Sequence, residues 1–240
     1  MKVILFGAEG QMGRTIKSLF EEERADVEIL SVDRDSSTEN LETADVAMDF
    51  SSKEALSSVL GYCTKHKVPL VMGTTGQDEK DMENIRVASE TIPLFYSGNF
   101  SLGIYLLKEA IREVSKALGE DADIEIMEKH HRKKKDAPSG TALILYNALQ
   151  EGSEEHKLVY GREGESLRSP GEIGMHSVRG GTIVGEHTVL FAMDHETLEF
   201  THRGESRRLF AKGAIRAVDY IRDRSPGLYG MDDLMKGRKD

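Results

Sequence analysis

Short apolar runs alternate with longer segments of helical spacing along the N-terminal half of the chain. The runs occupy residues 2–6, 27–33, 46–50, 68–73 and 92–97. Segments with helical apolar spacing follow most of them, and the last extends over residues 102–118. Strands that alternate with helices build βαβ units, in which each helix crosses over between neighbouring parallel strands. The alternation therefore predicts an α/β fold with a doubly wound parallel sheet.

The pattern changes after about residue 120. Residues 121–131 alternate in polarity as a strand does, and a helix is expected from near Pro138 to about residue 150. Residues 151–172 are rich in Gly, Glu and Ser, which is typical of a loop. Two long strands follow, joined by a turn near residues 194–196. These features indicate a second, α+β domain with an open mixed or antiparallel sheet.

The final helical segment places its apolar residues on one side, at Phe210, Ala214, Ala217, Val218 and Ile221. We expect this helix to return to the parallel sheet. The predicted organisation is therefore a first domain of residues 1–100 plus about 211–240, and a second domain of residues 101–210.

The sequence GAEGQMG follows the first apolar run and has glycines at positions 7, 10 and 13. This spacing, between a strand and a helix, is a variant of the dinucleotide-binding fingerprint of Rossmann folds. Asp33 ends the second strand, where an acid accepts from the ribose of NAD, while its neighbour Arg34 could pair with the 2′-phosphate of NADP. The alternative is that the glycines only close a tight βα turn. The residues predicted to bind NADH or NADPH here are Gly7, Ala8, Glu9, Gly10, Gln11, Met12, Gly13, Asp33 and Arg34.

Two further small-residue segments follow the fourth and fifth predicted strands: GTTG at 73–76 and SGNF at 97–100. Ligands of doubly wound sheets bind outside the carboxyl ends of the strands. By themselves these segments also suit ordinary turns. The residues expected to line the nicotinamide half of the cofactor are Gly73, Thr74, Thr75, Ser97, Gly98, Asn99 and Phe100.

The segment HHRKKKDAPSG, residues 130–140, concentrates positive charge in a chain whose formal net charge is -10. It is compatible with a solvated loop, a nucleic-acid patch or a pocket for a dianionic small molecule. A helix that starts near Pro138 would present the backbone N–H groups of Ser139, Gly140 and Thr141 at its positive end, which is an anion-binding arrangement. Beside a dinucleotide fold, this arrangement favours a pocket for a carboxylate-bearing substrate.

The longer segment EIMEKHHRKKKDAPSGTA, residues 125–142, resembles the signature of the dihydrodipicolinate reductase family, also called 4-hydroxy-tetrahydrodipicolinate reductases. The glycine fingerprint, DF at 49–50, GTTG, SGNFSLG, VRGGTIVGEHT and GLYGMDDL resemble the family in the same order, so the resemblance covers essentially the whole chain. It implies a Rossmann domain plus an open-sheet substrate domain that forms a homotetramer. The implied activity is NAD(P)H-dependent reduction of a cyclic dicarboxylate, 4-hydroxy-tetrahydrodipicolinate, in bacterial lysine and diaminopimelate biosynthesis.

The resemblance also implies residue roles. His130 matches the catalytic histidine, taken as the proton donor, and Lys134 matches the catalytic lysine, which stabilises the substrate and its developing charge. His131 matches a substrate-contacting histidine. Gly140 and Thr141 match the pair that holds a substrate carboxylate.

The chain departs from the family pattern at two places. The stretch between the second and third strands, residues 33–45, is shorter than in longer members, which leaves the loop contacts near the adenosine open. Gln11 stands where many members have arginine, which removes a positive charge near the pyrophosphate or ribose. We therefore expect the chain to use NADH, or both cofactors.

Several residues keep more than one interpretation. Arg179 is either functional or part of a cross-sheet ion pair. Glu125 and Glu128 either orient the histidines or balance the basic charge. His187 and His202 lie on the long strands and are interpreted as satisfied sheet histidines.

Other function classes are disfavoured. A nucleic-acid-binding module conflicts with the acidic net charge, and the RKKK run has no interleaved aromatic residues. We expect no metal site, because His130 and His131 would point to opposite faces of a strand. A single cysteine, Cys63, and the lack of an apolar run near the ~20 residues of a membrane span predict a cytoplasmic protein without a membrane partner. A non-catalytic NAD(P)H-sensing regulator stays open, because a fold does not determine function.

Overall fold

The computed structural model describes residues 1–33, 41–151 and 156–237; Arg34, predicted to bind the cofactor, lies outside these ranges. The strands are β1 (Lys2–Phe6), β2 (Glu28–Val32), β3 (Val46–Asp49), β4 (Leu70–Met72), β5 (Pro93–Tyr96), β6 (Asp123–His130), β7 (Lys157–Tyr160), β8 (Glu172–Arg179), β9 (Gly185–Met193), β10 (Glu196–Gly204) and β11 (Gly227–Tyr229). The helices are α1 (Gln11–Glu23), α2 (Leu56–His66), α3 (Glu79–Ser89), α4 (Leu102–Leu118), α5 (Gly140–Gln150), α6 (Arg208–Ile221) and α7 (Met231–Lys236).

The chain divides into two compact units. Unit 1 comprises Met1–Phe100 and Arg207–Asp240, and unit 2 comprises Ser101–Ser206. Across the described ranges, every helix is too short or too polar to cross a lipid bilayer.

Unit 1 is built on a parallel sheet of six strands in the order β11-β5-β4-β3-β1-β2. Successive side chains of a strand point to opposite faces. Val3 and Leu5 of β1 therefore pack with α1 and α6, whereas Ile4 and Phe6 pack with α2 and α3. The chain leaves β1 for β2 on one side and continues to β3 on the other. The carboxyl ends of β1 and β3 consequently form the switch point at which such sheets bind ligands.

Unit 2 contains a mixed sheet in the order β10-β9-β6-β8-β7, in which β6 is parallel to β8 and antiparallel to β9. Helices α4 and α5 cover one face and bury Ile124 and Ile126 of β6. Glu128 and His130 follow at the same two-residue period and are buried on the same face. The alternation of β6 therefore extends the apolar core into a polar cluster at the end of the strand.

The segment after β6 differs from the prediction. Strand β6 ends at His130, and residues 131–139 form an irregular connection to α5. The carbonyl of His130 still accepts from the Gly180 N–H at 2.9 Å, but the N–H of Lys134 turns back to the carbonyl of His131 at 3.1 Å. Lys133, Lys134 and Lys135 therefore lie in this connection and not on a strand.

The sequence pattern also did not predict two short strands. Strand β7, four residues long, lies inside the segment interpreted as a loop, and β11, three residues long, follows the last long helix. Strand β7 pairs with the eight-residue β8, and β11 pairs with β5, which is distant in sequence. Such short strands depend on their partner for hydrogen bonds, so their own residues carry little periodic signal.

Candidate functional site

The β1–α1 turn is shaped by two glycines. Gly7 has a φ of +78°, and a Cβ on it would lie 2.5 Å from the carbonyl oxygen of Phe50 and 2.7 Å from Cα of Ser51. A Cβ on Gly13 would overlap the carbonyl oxygen of Gly7. Glycine at both positions therefore lets β1, α1 and the segment after β3 approach each other closely at the switch point.

Gly10 precedes α1 and leaves the N-terminus of this helix without a side-chain cap. Its backbone is extended, with φ -68° and ψ 168°, and the first turn of α1 contains no acidic residue. The N–H groups of a first turn have no partner within their own helix, and the helix dipole favours an anion there. The turn formed by Gly10, Gln11 and Met12 therefore fits the pyrophosphate of a dinucleotide.

Two acidic residues are adjacent beside this turn. Asp33 follows β2, and its Oδ1 accepts from the Glu9 backbone N–H at 3.1 Å. The Glu9 carboxylate lies 3.4 Å from Nε of Arg14 and 3.7 Å from Nζ of Lys17. Carboxylates accept hydrogen bonds from ribose hydroxyls, so Asp33 fits the adenosine ribose of a dinucleotide.

The loops after β4 and β5 lie side by side. A Cβ on Gly98 would lie 3.7 Å from Cγ2 of Thr75. Within the second loop, Oγ of Ser97 donates to the Asn99 carbonyl at 2.7 Å and accepts from the Asn99 N–H at 3.2 Å. The structure thus brings the GTTG and SGNF segments together at the carboxyl edge of the sheet, where the glycine turn also lies.

The aromatic residue of the SGNF segment is turned into the core. The ring of Phe100 is buried, with centroids 5.8 Å from Phe95 and 5.6 Å from Phe50. A Cβ on Gly73 would overlap the Phe50 ring. Phe100 therefore anchors its loop by side-chain packing, which leaves its backbone for any contact with a cofactor.

Asp49, at the end of β3, is a fully buried acid behind these loops. Its Oδ1 accepts from the Ser51 N–H at 3.1 Å, and its carbonyl accepts from Oγ1 of Thr74 at 3.5 Å. Burial raises the pKa of the Asp49 carboxyl, and hydrogen bonds from Ser51 and Thr74 offset only part of that rise. Asp49 thus ties the start of the GTTG loop to β3.

Glu128 is the centre of a second cluster, in unit 2. Its fully buried carboxylate accepts from both terminal nitrogens of the Arg179 guanidinium, at 2.7 and 2.8 Å, and from the Ser139 backbone N–H at 3.2 Å. Nδ1 of His130 lies 2.5 Å from Oε2. Burial by itself raises the pKa of the Glu128 carboxyl, but hydrogen bonds from Arg179, Ser177 and His130 outweigh it and hold the pKa at about 2. Glu128 is therefore ionised at neutral pH.

His130 is the second member of this cluster. Burial lowers the pKa of its imidazole, the Glu128 carboxylate opposes that effect, and the positive charges of Lys134 and Arg179 lower it further. The ring of His187, on β9, lies against it with centroids 5.2 Å apart. The carboxylate therefore favours protonation of the His130 imidazole, and the cations oppose it.

His187 is bonded through one ring nitrogen only. Its Nε2 lies 3.1 Å from Oγ of Ser139, which also accepts from the Ala142 N–H. Burial lowers the pKa of His187 to about 3, so its imidazole is neutral at neutral pH. Nδ1 has no hydrogen-bond partner among the described residues. The interpretation of His187 as a satisfied sheet histidine holds for Nε2 alone.

The connection between β6 and α5 is held against the same cluster. The Arg179 guanidinium also donates to the carbonyl of Asp136 at 2.6 Å, and Nζ of Lys134 lies 2.9 Å from Oδ2 of Asp136. Helix α5 then begins at Gly140 after its cap Ser139, and its first turn contains no acidic residue. Positive charge and an anion-favouring helix end therefore meet near His130.

Three residues with more than one interpretation make charged contacts. Glu128 contacts Nδ1 of His130, and Arg179 pairs with Glu128 across β6 and β8. Glu125 lies on the opposite face of β6, where its carboxylate is 2.6 Å from Nε2 of His176. His202 lies 3.3 Å from Oγ of Ser101, the cap of α4.

The polar cluster combines predicted residues with residues that the sequence reasoning did not select. The two-residue spacing of Glu128 and His130 on an alternating strand was a usable signal for Glu128. Pairing of β6 with β8 and β9 brings Arg179 and His187 to the cluster. Local sequence does not reveal this pairing. The predicted residues of this region are His130, His131, Lys134, Gly140 and Thr141, and the structure adds Glu128, Ser139, Arg179 and His187.

Comparison with known proteins places this geometry in a family. Two family models match the chain: "Dihydrodipicolinate reductase, N-terminus" over residues 1–100 and "Dihydrodipicolinate reductase, C-terminus" over residues 103–235. The 4-hydroxy-tetrahydrodipicolinate reductase of Alkaliphilus oremlandii is 42% identical over 237 residues, covering 98% of each chain. That of Clostridium tetani is 40% identical over 248 residues, covering 98% of this chain and 97% of the relative.

A solved structure shows the same fold. A dihydrodipicolinate reductase from Paenisporosarcina sp. TG-14, with dipicolinate bound, aligns with a TM-score of 0.76 at 22% identity, over 96% of this chain and 97% of that one. The family models and the relatives span both units from end to end. The chain therefore belongs to the dihydrodipicolinate reductase family.

Proposed function

We propose that the chain is an NAD(P)H-dependent oxidoreductase that reduces 4-hydroxy-tetrahydrodipicolinate to tetrahydrodipicolinate in lysine and diaminopimelate biosynthesis. The observation that carries this proposal is the full-length similarity to reductases of that name, at about 40% identity. In this assignment, unit 1 binds the cofactor and unit 2 binds the substrate. The chemistry of the described clusters supports that division.

The cofactor site is formed by the glycine turn and the loops after β4 and β5. The uncapped start of α1 binds the pyrophosphate, Asp33 accepts from the adenosine ribose, and the GTTG and SGNF segments line the nicotinamide half. The bound nicotinamide supplies the hydride.

The substrate site is formed by the basic connection and the start of α5. A dicarboxylate matches this region, because Lys134 supplies a cation while Gly140 and Thr141 lie at a helix N-terminus without acidic residues. The dipicolinate in the Paenisporosarcina enzyme is a planar ring with two carboxylates, and it supports this choice of ligand class. His131 adds a further polar contact to the same site.

Two residues act on the reacting ring. Negative charge develops on the conjugated ring as it receives a hydride, and the Lys134 ammonium lowers the barrier by stabilising that charge. The reduced ring then needs a proton, which His130 donates, because an imidazole exchanges protons near neutral pH. The Glu128 carboxylate, 2.5 Å from Nδ1, stabilises the protonated form of His130 before transfer.

The activity is tested by following oxidation of NADH and NADPH in absorbance, with substrate made in place from pyruvate and aspartate semialdehyde by the preceding synthase. The purified chain is expected to consume a reduced cofactor only when the synthase is active. Omission of pyruvate is the control. Unchanged absorbance with both cofactors would refute the proposed reaction.

NADH is the preferred cofactor in this proposal. Gln11 brings no cation to the turn, the backbone N–H of Glu9 donates to Asp33, and the Glu9 carboxylate pairs with Arg14 and Lys17. Glu9→Gln is expected to tighten NADPH binding about fivefold relative to NADH, which corresponds to about 1 kcal/mol. Fluorescence titration with each cofactor measures the ratio of dissociation constants. Glu21→Gln, at an exposed position on α1, is the matched control. An unchanged ratio of dissociation constants in E9Q would count against a role of Glu9 in cofactor preference.

The assembly is a homotetramer formed through unit 2, located in the cytoplasm. Helices α4 and α5 cover one face of the mixed sheet, whereas Met127, Thr188 and Leu190 belong to the opposite face. A second sheet of the same kind would cover that face. Light scattering after gel filtration tests the proposal: a tetramer that Leu190→Arg dissociates is expected, and a monomeric wild-type chain would contradict it.

A further inference from the structure

Glu128 is a charged residue at a position where an apolar one would pack. Ile124 and Ile126 occupy the same face of β6, and Glu128 is as completely buried as Ile126. Transfer of an ionised carboxylate into the interior costs several kcal/mol unless donors compensate it. The donors that do so include two guanidinium nitrogens of Arg179, Nδ1 of His130 and the Ser139 N–H. The chain therefore maintains a buried charge that core packing alone does not require.

The contact with His130 determines which ring nitrogen holds a proton. A carboxylate only accepts hydrogen bonds, so Nδ1 of His130 is the donor at 2.5 Å. Nε2 is then the atom left to exchange a proton. A Cβ on Gly185 would lie 3.0 Å from this Nε2, so the glycine keeps space next to it.

The other oxygen of the Glu128 carboxylate contacts the residue that precedes α5. Oε1 accepts from the backbone N–H of Ser139, the residue that caps α5. Gly140 and Thr141 follow immediately in the first turn of that helix. One rigid carboxylate therefore connects the imidazole to the helix end proposed to hold a substrate carboxylate.

We propose that Glu128 is a positioning residue, kept ionised by Arg179, which fixes the Nδ1–H form of His130 and its placement relative to the start of α5. The inference rests on the proposed function for its catalytic consequence. The part of the inference that concerns which nitrogen of His130 is protonated does not depend on turnover.

Charged and titratable groups from each neighbouring element face His130. They are Glu128 on β6, Arg179 on β8, His187 on β9 and Lys134 on the connection to α5. Glu128 is the one negative charge in this set, the Lys134 and Arg179 cations oppose protonation of His130, and His187 is neutral. Removal of the Glu128 charge therefore makes the imidazolium harder to form, and the alkaline limb of the activity profile moves to lower pH.

The first test is Glu128→Gln in the full chain, with kcat/KM measured against pH. The alkaline limb is expected to move down by about one pH unit or more, and kcat at neutral pH to fall roughly a hundredfold. The dissociation constant for NADH is expected to stay unchanged. Glu125→Gln is the matched control, because it removes a carboxylate from the opposite face of the same strand. An E128Q profile that coincides with the wild-type profile would overturn the proposal.

The second test covers the case in which E128Q does not fold. Histidine labelled with ¹⁵N in the wild-type chain reports which nitrogen of the neutral His130 ring is protonated, with the signal assigned by its loss in His130→Gln. We expect protonated Nδ1. Protonated Nε2 would overturn the proposal without any activity measurement. Absence of turnover together with protonated Nδ1 would reject the reductase function and retain the positioning role.

Discussion

His187 makes the stability of the chain sensitive to acid. The residue is 4% exposed, and its Nε2 lies 3.1 Å from the Ser139 hydroxyl oxygen. Burial lowers the pKa of His187 to about 3, and the neighbouring His130 contributes to the same direction. Protonation would place a positive charge at the N-terminus of α5, where the helix dipole opposes it.

The sign and size of the effect follow from proton linkage. An unfolded histidine titrates near pH 6.5, so between that pH and about 3 the unfolded chain holds a proton that the native His187 does not. The free energy of unfolding therefore falls as the pH decreases through this window. Each pH unit corresponds to about 1.4 kcal/mol, so acidification to about pH 5 removes roughly 2 kcal/mol through this residue.

Urea unfolding of the wild type and of His187→Gln at about pH 7.5 and about pH 5 measures this contribution. The carboxylates titrate in both proteins and largely cancel in the comparison. We expect the wild type to lose roughly 2 kcal/mol more than H187Q over this interval. His195→Asn, in the exposed β9–β10 turn, is the control and should follow the wild type. Equal losses in wild type and H187Q would refute the reasoning.

Three further predictions concern single positions. Lys134→Ala is expected to lower kcat roughly a hundredfold, because it removes the cation beside the reacting ring, with the NADH dissociation constant unchanged in fluorescence titration; normal turnover would refute its role. Gly13→Ala is expected to destabilise the chain by about 1–3 kcal/mol in urea unfolding, because the new Cβ overlaps the Gly7 carbonyl oxygen, whereas Gly61→Ala, in open space on α2, should not destabilise it. Cys63 is fully buried and burial raises the pKa of its thiol, so an aromatic disulfide reagent should modify it only after unfolding; rapid labelling of the native chain would contradict its burial.

The fold class and much of the proposed cofactor site follow from local sequence. Alternating apolar runs and helical segments predicted the parallel sheet, because βαβ units leave that pattern at every strand. The glycines at positions 7 and 13 are needed for close backbone packing, and this need is visible as a spacing in the chain. The strand through His130 was likewise predicted from its alternation, although its end was placed one residue too late.

The arrangement around His130 could not be predicted in the same way. Glu128, Arg179 and His187 belong to three strands, β6, β8 and β9, and only their register brings the side chains together. A local pattern reports which face of an element is buried; it does not report which distant charge compensates a buried one. The sequence by itself determined most of the elements, the glycine turn and the family. Tertiary structure alone decided which carboxylate ionises beside which histidine, because that depends on burial and on contacts between residues about 50 positions apart.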